Sequence, residues 1–447
     1  MKKLSHILTL FATVAVISLV SCQKDDIAKQ EANDNFYPRI FDTKNAFLNP
    51  SMIINEGDTA KYTGISYSPA TKVAIAWKVN DKVVSNDTSF YFKPSGGGDY
   101  TIVLEVTYNG QLTSRTSHVL VNPSTYTPKP YDKVSLAYLS PDATKFDLNW
   151  SAVTHVAFKA GQVMPDGTLD VSKGEVNNHT TELVAKAHIN GTPVLLGISG
   201  RLSGIDGWAL YEVNDFGGVI SDPAKMPGLV AAVKNYVVSK RMDGVDIMMT
   251  DINSSLYDAN MQAIKPFMAA LRDALPAKSI ITVTVGANWT HWSYPDLSGA
   301  DWVNLHAFED GVHVGPAAPR GQASSYDFMV SCATIFTNFH LPANKIVVGM
   351  PAFGLRYDAI DGDGNNASWG SYSYVTYKDI LGIDAQAYTK EMVNSAYGIY
   401  YNGVPLVQQK ATYIKANSFK GAYLWAEDFD GPTGASSLIE AISGKLK

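Results

Sequence analysis

Cysteine is nearly absent from this chain of 447 residues: there are two, Cys22 and Cys332. A disulfide-stapled scaffold is therefore excluded. Long basic runs are also missing. With 36 basic and 42 acidic side chains the net charge is −6, which gives nucleic-acid binding no electrostatic footing. Apolar runs of membrane-spanning length do not recur along the chain, and 46% hydrophobic against 17% charged residues is an ordinary globular balance. No glycine-rich phosphate loop follows the first strand-like run of the larger half, where Leu139-Ser140-Pro141-Asp142 stands instead. Aromatic residues, by contrast, reach 11%, with 24 Tyr and 8 Trp. Such side chains suit flat neutral ligands, and equally a β-rich core.

The first cysteine has a context. Met1-Lys2-Lys3 is basic, residues 4–20 are apolar, and Leu19-Val20-Ser21-Cys22 resembles a bacterial lipobox. The expectation is a lipoprotein signal peptide over residues 1–21, cleaved before Cys22, whose thiol carries lipid. An uncleaved anchor is the alternative, and the apolar run is short for it. Gln23-Lys24-Asp25-Asp26 resembles the export signal that places Bacteroidetes lipoproteins on the cell surface. Residues 22–36 then read as a polar tether. Cys332 reads as a buried apolar residue within a helix.

Residues 37–122 read as all-β. Val73, Ile75, Trp77 and Val79 alternate with other residues, as do Tyr100, Ile102, Leu104, Val106 and Tyr108. Gly, Asn, Asp and Pro bound these runs, as in a β-sandwich. The stretch resembles a PKD or other immunoglobulin-like module, with Trp77 as core. Residues 123–130 carry three prolines and read as an extended linker. From 131 to 447 strand-like and helix-like runs alternate. Strands are expected at 134–139, 155–159, 193–198, 244–249, 280–285, 302–306, 346–350 and 421–425. Helices are expected at 226–240, 260–275, 326–339 and 406–416. Eight strands with intervening helices predict an α/β fold, a (β/α)8 TIM barrel, with a doubly wound open sheet as the alternative.

Residues 131–447 resemble glycoside hydrolase family 18, the chitinases and endo-β-N-acetylglucosaminidases. The motifs are Val194-Leu195-Leu196-Gly197-Ile198-Ser199-Gly200 for its third strand, Gly349-Met350-Pro351 in its seventh and Trp425-Ala426-Glu427-Asp428 in its eighth. The fourth strand of the family reads D-G-x-D-x-D-x-E. Here it reads Asp243-Gly244-Val245-Asp246-Ile247-Met248-Met249-Thr250. The family's Glu protonates the glycosidic oxygen, and its last Asp supports the attacking acetamido group of the substrate. Those two places hold Thr250 and Met248, neither of which can do that work. The family's sixth-strand tyrosine, which holds the acetamido carbonyl, is matched by Phe308 within His306-Ala307-Phe308-Glu309. General acid catalysis is worth roughly 10²–10⁴-fold.

The resemblance therefore implies a barrel that binds oligosaccharide and does not cleave it. Trp425 matches the family's sugar-subsite floor. Asp246, His306, Glu309, Trp289 and Trp292 complete the expected ligand-binding set, although Asp246 reads better as a strand anchor. Trp208, Tyr211, His291, Trp369, Tyr372 and Tyr374 are further aromatic or ring-bearing residues in loops on the expected active face. The alternative is an active glycosidase with a displaced acid such as Asp251, with Glu309, Asp310, Glu427 and Asp428 also near strand ends. No cofactor and no metal is expected. The run Asp361-Gly362-Asp363-Gly364-Asn365 resembles part of a calcium loop, yet Tyr372 stands where the bidentate Glu would be. The expected partners are an N-acetylglucosamine-containing glycan, the outer-membrane lipid and a glycan-uptake system, with no nucleic acid. A protein-binding module that reuses the barrel is the third possibility.

Overall fold

The computed structural model of the chain describes residues 36–48, 51–200, 216–250, 257–287, 293–309, 311–339 and 341–447. The chain divides into two compact units, one ending at Ser124 and one starting at Thr125. Cys22, Trp208, Tyr211, Asp251, Trp289, His291, Trp292 and Asp310 lie outside the described residues.

The first unit is all-β. Its main sheet orders Ser51–Asn55, Gln111–Asn122, Gly98–Tyr108, Ala74–Val79 and Lys82–Ser85 side by side. Two small antiparallel pairs accompany it, Arg39–Asp42 with Ile65–Ser68 and Ala60–Tyr62 with Phe90–Phe92. Period-two burial sends Ile102, Leu104 and Val106 into one core with Tyr62, Trp77, Val119 and Val121. Trp77 is fully buried there, and its indole N–H donates to the Asp87 carbonyl at 2.9 Å.

The second unit is a closed barrel. Its strands, first to eighth, are Val134–Leu139, His155–Val163, Val194–Ser199, Gly244–Met249, Ile280–Gly286, Trp302–His306, Ile346–Pro351 and Gly421–Trp425. All neighbours are parallel, and the first strand pairs with both the second and the eighth, which closes the ring. Helices follow most strands, as parallel crossovers require. The open-sheet alternative is thereby excluded. The second strand runs beyond the expected 159 to Val163, through an irregularity between Lys159 and Gly161. The helix expected over 260–275 is two helices, Tyr257–Gln262 and Ile264–Ala274. Pro266 explains the break: it has no N–H to give and its ring opposes the carbonyl four residues back. Cys332 is buried in the helix Tyr326–Asn338, as expected.

Alternation sorts the strand residues into two cores. Leu136, Tyr138, Ala157, Leu195, Met248, Val347, Tyr423 and Trp425 fill the barrel interior. Their neighbours, such as Ala137, Val156, Leu196, Ile247 and Leu424, face the helix layer. Between the seventh and eighth strands the chain inserts a small antiparallel sheet. It is ordered Tyr372–Thr376, Phe353–Tyr357, Ile399–Tyr401 and Met392–Val393.

Candidate functional site at the C-terminal face of the barrel

Parallel strands put their inward side chains in layers, so the fourth strand delivers Asp246, Met248 and Thr250 successively towards the C-terminal mouth. All three are buried. Asp246 is a strand anchor. Its carboxylate accepts from Tyr138 Oη at 2.9 Å, Thr282 Oγ1 at 2.5 Å, Thr284 Oγ1 at 2.6 Å and Asn304 Nδ2 at 3.1 Å. Four donors from the first, fifth and sixth strands use its lone pairs. Burial raises the Asp246 pKa, and those hydrogen bonds pull it back. The ligand-binding place given to Asp246 is thus corrected: it is sealed inside the barrel with no surface for a ligand. Gly197 permits this crossing, since a Cβ there would stand 2.2 Å from the Tyr138 hydroxyl. The network was legible only in part. Thr282 and Thr284 alternate on the fifth strand, but nothing in one sequence says that they converge on Asp246.

Met248 occupies apolar space, in one cluster with Tyr138, Phe308, Tyr423 and Trp425. Phe308 stacks on Trp425 with centroids 6.3 Å apart and a 27° tilt, and it meets Phe353 and Tyr423 edge-on. Trp425 also packs on Tyr138 at 5.0 Å. Both Phe308 and Trp425 are closed off, at 2% and 0% exposure. The platform role expected for Trp425 is therefore corrected. Its ring has core neighbours and no open face, because an unsubstituted phenyl ring and a thioether fill the centre with apolar matter.

His306 and Glu309 do come together. His306 Nε2 and Glu309 Oε2 lie 2.6 Å apart, and both side chains are almost wholly buried. The His306 ring rests on Phe308 at 3.7 Å. Burial, with the charge of Lys159 nearby, pushes His306 down to about 3 and keeps it neutral. Glu309 sits at φ 66, a left-handed backbone for a non-glycine residue at the strand end. Lys159, fully buried, continues the inward set begun by Ala157. It was not singled out in the sequence, although a lysine two residues after a buried alanine in an apolar strand was the available signal.

The acids after the eighth strand have separate duties. Asp428 accepts from the Ser140 N–H and hydroxyl, both at 2.8 Å, tying the eighth strand's end to the first's. Asp430 accepts from the N–H groups of Leu438 and Ile439, at the start of the last helix. Glu427 is buried; burial, then Asp430 and Asp428, raise its pKa well above the ordinary carboxylate value. On the inserted sheet, Tyr372 and Tyr374 are half-buried, while Trp369 is 68% exposed. The bare Cα of Gly315, at φ 109, lets that indole close in: a Cβ would stand 3.0 Å from it. Asp361 spends its carboxylate on its own turn, accepting from the N–H of Asp363 and of Asn365.

A closed parallel eight-stranded barrel that turns Asp246, Met248 and Thr250 of its fourth strand inward defines the class as a (β/α)8 TIM barrel. The particular family is fixed by comparison. Residues 131–430 match glycosyl hydrolases family 18, and the chain belongs to that family. It is 27% identical over 168 residues to Endochitinase 1 of Metarhizium robertsii, a match spanning 38% of that relative and 34% of this chain. Its fold resembles a chitinase from Bacteroides thetaiotaomicron, with TM-score 0.57, 23% identity and coverage of 71% of this chain and 97% of that one. It also resembles a chitinase-like agglutinin from Robinia pseudoacacia, with TM-score 0.56, 18% identity and coverage of 70% and 100%.

Proposed function

We propose that the barrel binds N-acetylglucosamine-containing glycans without hydrolysing them. The observation that carries this reading is the inner face of the fourth strand, where Met248 and Thr250 occupy the places of the family's two catalytic acids. Phe308 in the place of the hydroxyl-bearing tyrosine agrees with it. A threonine hydroxyl cannot donate a proton to a leaving sugar near neutral pH, and a thioether cannot balance the developing positive charge. The existence of a chitinase-like agglutinin with this fold supports the idea that such a barrel serves as a lectin. The sugar surface we assign is the edge of the inserted sheet, with exposed Trp369 in the loop that leads into the strand of Tyr372 and Tyr374, since an indole face suits the C–H face of a pyranose. The lipobox-like Cys22, the polar stretch after it and the all-β unit, read as a PKD-like spacer, suit display at the surface of the outer membrane. There a captured glycan would pass to an uptake system.

Incubation with chitooligosaccharides and with high-mannose glycopeptide, followed by mass spectrometry, is expected to show no cleavage. Calorimetry with the same ligands is expected to show binding that Trp369→Ala weakens about tenfold or more. Trp425→Ala is the wrong probe, because truncating a fully buried indole costs about 3–5 kcal/mol of stability. A second reading keeps hydrolysis through a displaced acid, and the raised pKa of Glu427 favours considering it. Turnover abolished by Asp251→Ala or Glu427→Gln would establish that reading instead. Absence of binding to any such glycan would leave the barrel as a protein-binding module.

A further inference from the structure

The opposite end of the barrel carries a cavity of about 370 Å³. Its floor is the start of the first strand, at Ser135, and Thr154 just before the second. The last helix, Leu438–Leu446, walls it through Ser443 and Leu446. Three lysines line it, Lys129, Lys133 and Lys447, with one acidic side chain, that of Asp132. The ammonium group of a fourth, Lys420, lies 5.2 Å from the ring of Tyr131, another lining residue.

These ammonium groups rest on carbonyls and a ring, with the carboxylate of Asp132 and the terminal carboxylate of Lys447 on the same lining. Lys129 donates to the Trp150 carbonyl, Lys133 to that of Phe419 at 2.6 Å and Lys447 to that of Ser151 at 3.3 Å. Among the described residues none of the four lysines forms an ion pair. The effect on neighbours is visible. Burial, and then Lys447, push Lys129 down to about 8. Burial, with Lys420 and Lys129, holds His155 at about 3. The second observation is the Ser135 hydroxyl. Ser135 is 2% exposed and lines the cavity, and its Oγ has no hydrogen-bond partner among the described residues. Its backbone is already satisfied through Thr154, so the hydroxyl alone is left over. A buried hydroxyl without a partner is costly, and a ligand or water that accepts from it removes that cost.

We infer that this cavity binds a phosphate ester, with Ser135 donating to a phosphate oxygen and the lysines neutralising its charge. The volume falls in the range of small-molecule sites and exceeds what a bare oxyanion fills. The phosphate therefore sits on a body of about monosaccharide size, with Tyr131 at its side. A soluble sugar phosphate and the phosphorylated headgroup of a lipid share this chemistry.

The test uses the full chain at low ionic strength. Calorimetry with inorganic phosphate, glucose 6-phosphate and glucose is run beside sedimentation with phosphatidic acid and phosphatidylcholine vesicles. Glucose 6-phosphate is expected to bind and glucose not to. Ser135→Ala and Lys447→Gln should each weaken it about tenfold, as loss of one hydrogen bond to a charged group does. Added salt should weaken it further. Ser135→Ala should not lower thermal stability and should raise it slightly, since it removes a buried hydroxyl with no partner among the described residues. Binding to phosphatidic acid vesicles alone, lost in the same variants, would assign the phosphate to a lipid headgroup. No saturable binding in any arm, or affinities in both variants within twofold of the parent, would overturn the inference. Trp369→Ala should not affect these titrations, which separates failure here from failure of the glycan reading.

Discussion

Asp246 shows most directly how one residue in this barrel changes meaning between sequence and structure. In the motif it belongs to a catalytic series; in the fold it is a node that four donors meet. Asp246→Ala would leave Tyr138, Thr282, Thr284 and Asn304 without their acceptor in a closed interior. The expected cost is about 3–5 kcal/mol, measured by chemical denaturation. Asp246→Asn, which keeps one acceptor oxygen, should cost distinctly less. Equal losses in the two variants would mean that the donors find other partners. Trp425 is the complementary case. Its motif promised a platform, but exposure depends on what fills the space above it, and that is Phe308 from just beyond the end of the sixth strand.

At the scale of elements, the last helix depends on a side chain outside it. Ser437 provides the local cap, accepting from the Glu440 N–H, while Asp430 takes the two preceding N–H groups. An anion at a helix start also meets the positive end of the helix dipole. Asp430→Ala is expected to destabilise the unit by about 1–2 kcal/mol and to raise amide exchange first within Leu438–Leu446. If exchange rose evenly across the barrel, the capping account would fail. The strands themselves were legible because each is an apolar run of strand length, bounded by turn residues. The two-part helix around Pro266 and the extension of the second strand to Val163 were less so. A boundary depends on which neighbour supplies the next hydrogen bond.

The whole molecule carries a pH dependence. His155 and His306 are both held at about 3, against about 6.5 for an exposed histidine. Below pH 6.5 the unfolded chain takes up protons that the folded barrel refuses until about 3. The stability from keeping these rings neutral is thus full above 6.5 and is lost as pH falls towards 3. Asp430, raised to about 6, works the other way: its contribution falls as pH rises from about 4 to 6. A difference measurement isolates one group. The stability of His155→Phe relative to the parent should improve by up to about 1.4 kcal/mol for each pH unit between 6.5 and 4. A difference independent of pH would show that His155 titrates normally in the fold.

Sequence alone determined the barrel, the places of its strands and the family, and it set Met248, Thr250 and Phe308 at the motif positions. Each is a local fact: an apolar period, a run length or a residue type in a motif. Tertiary structure alone decided the rest. It placed Lys159 near His306, gathered four donors on Asp246, closed Trp425 beneath Phe308 and set lysines that form no ion pair among the described residues around the cavity at Ser135. Those are contacts between residues far apart in the chain, and a side chain's burial and charge environment are set by such contacts rather than by its own identity.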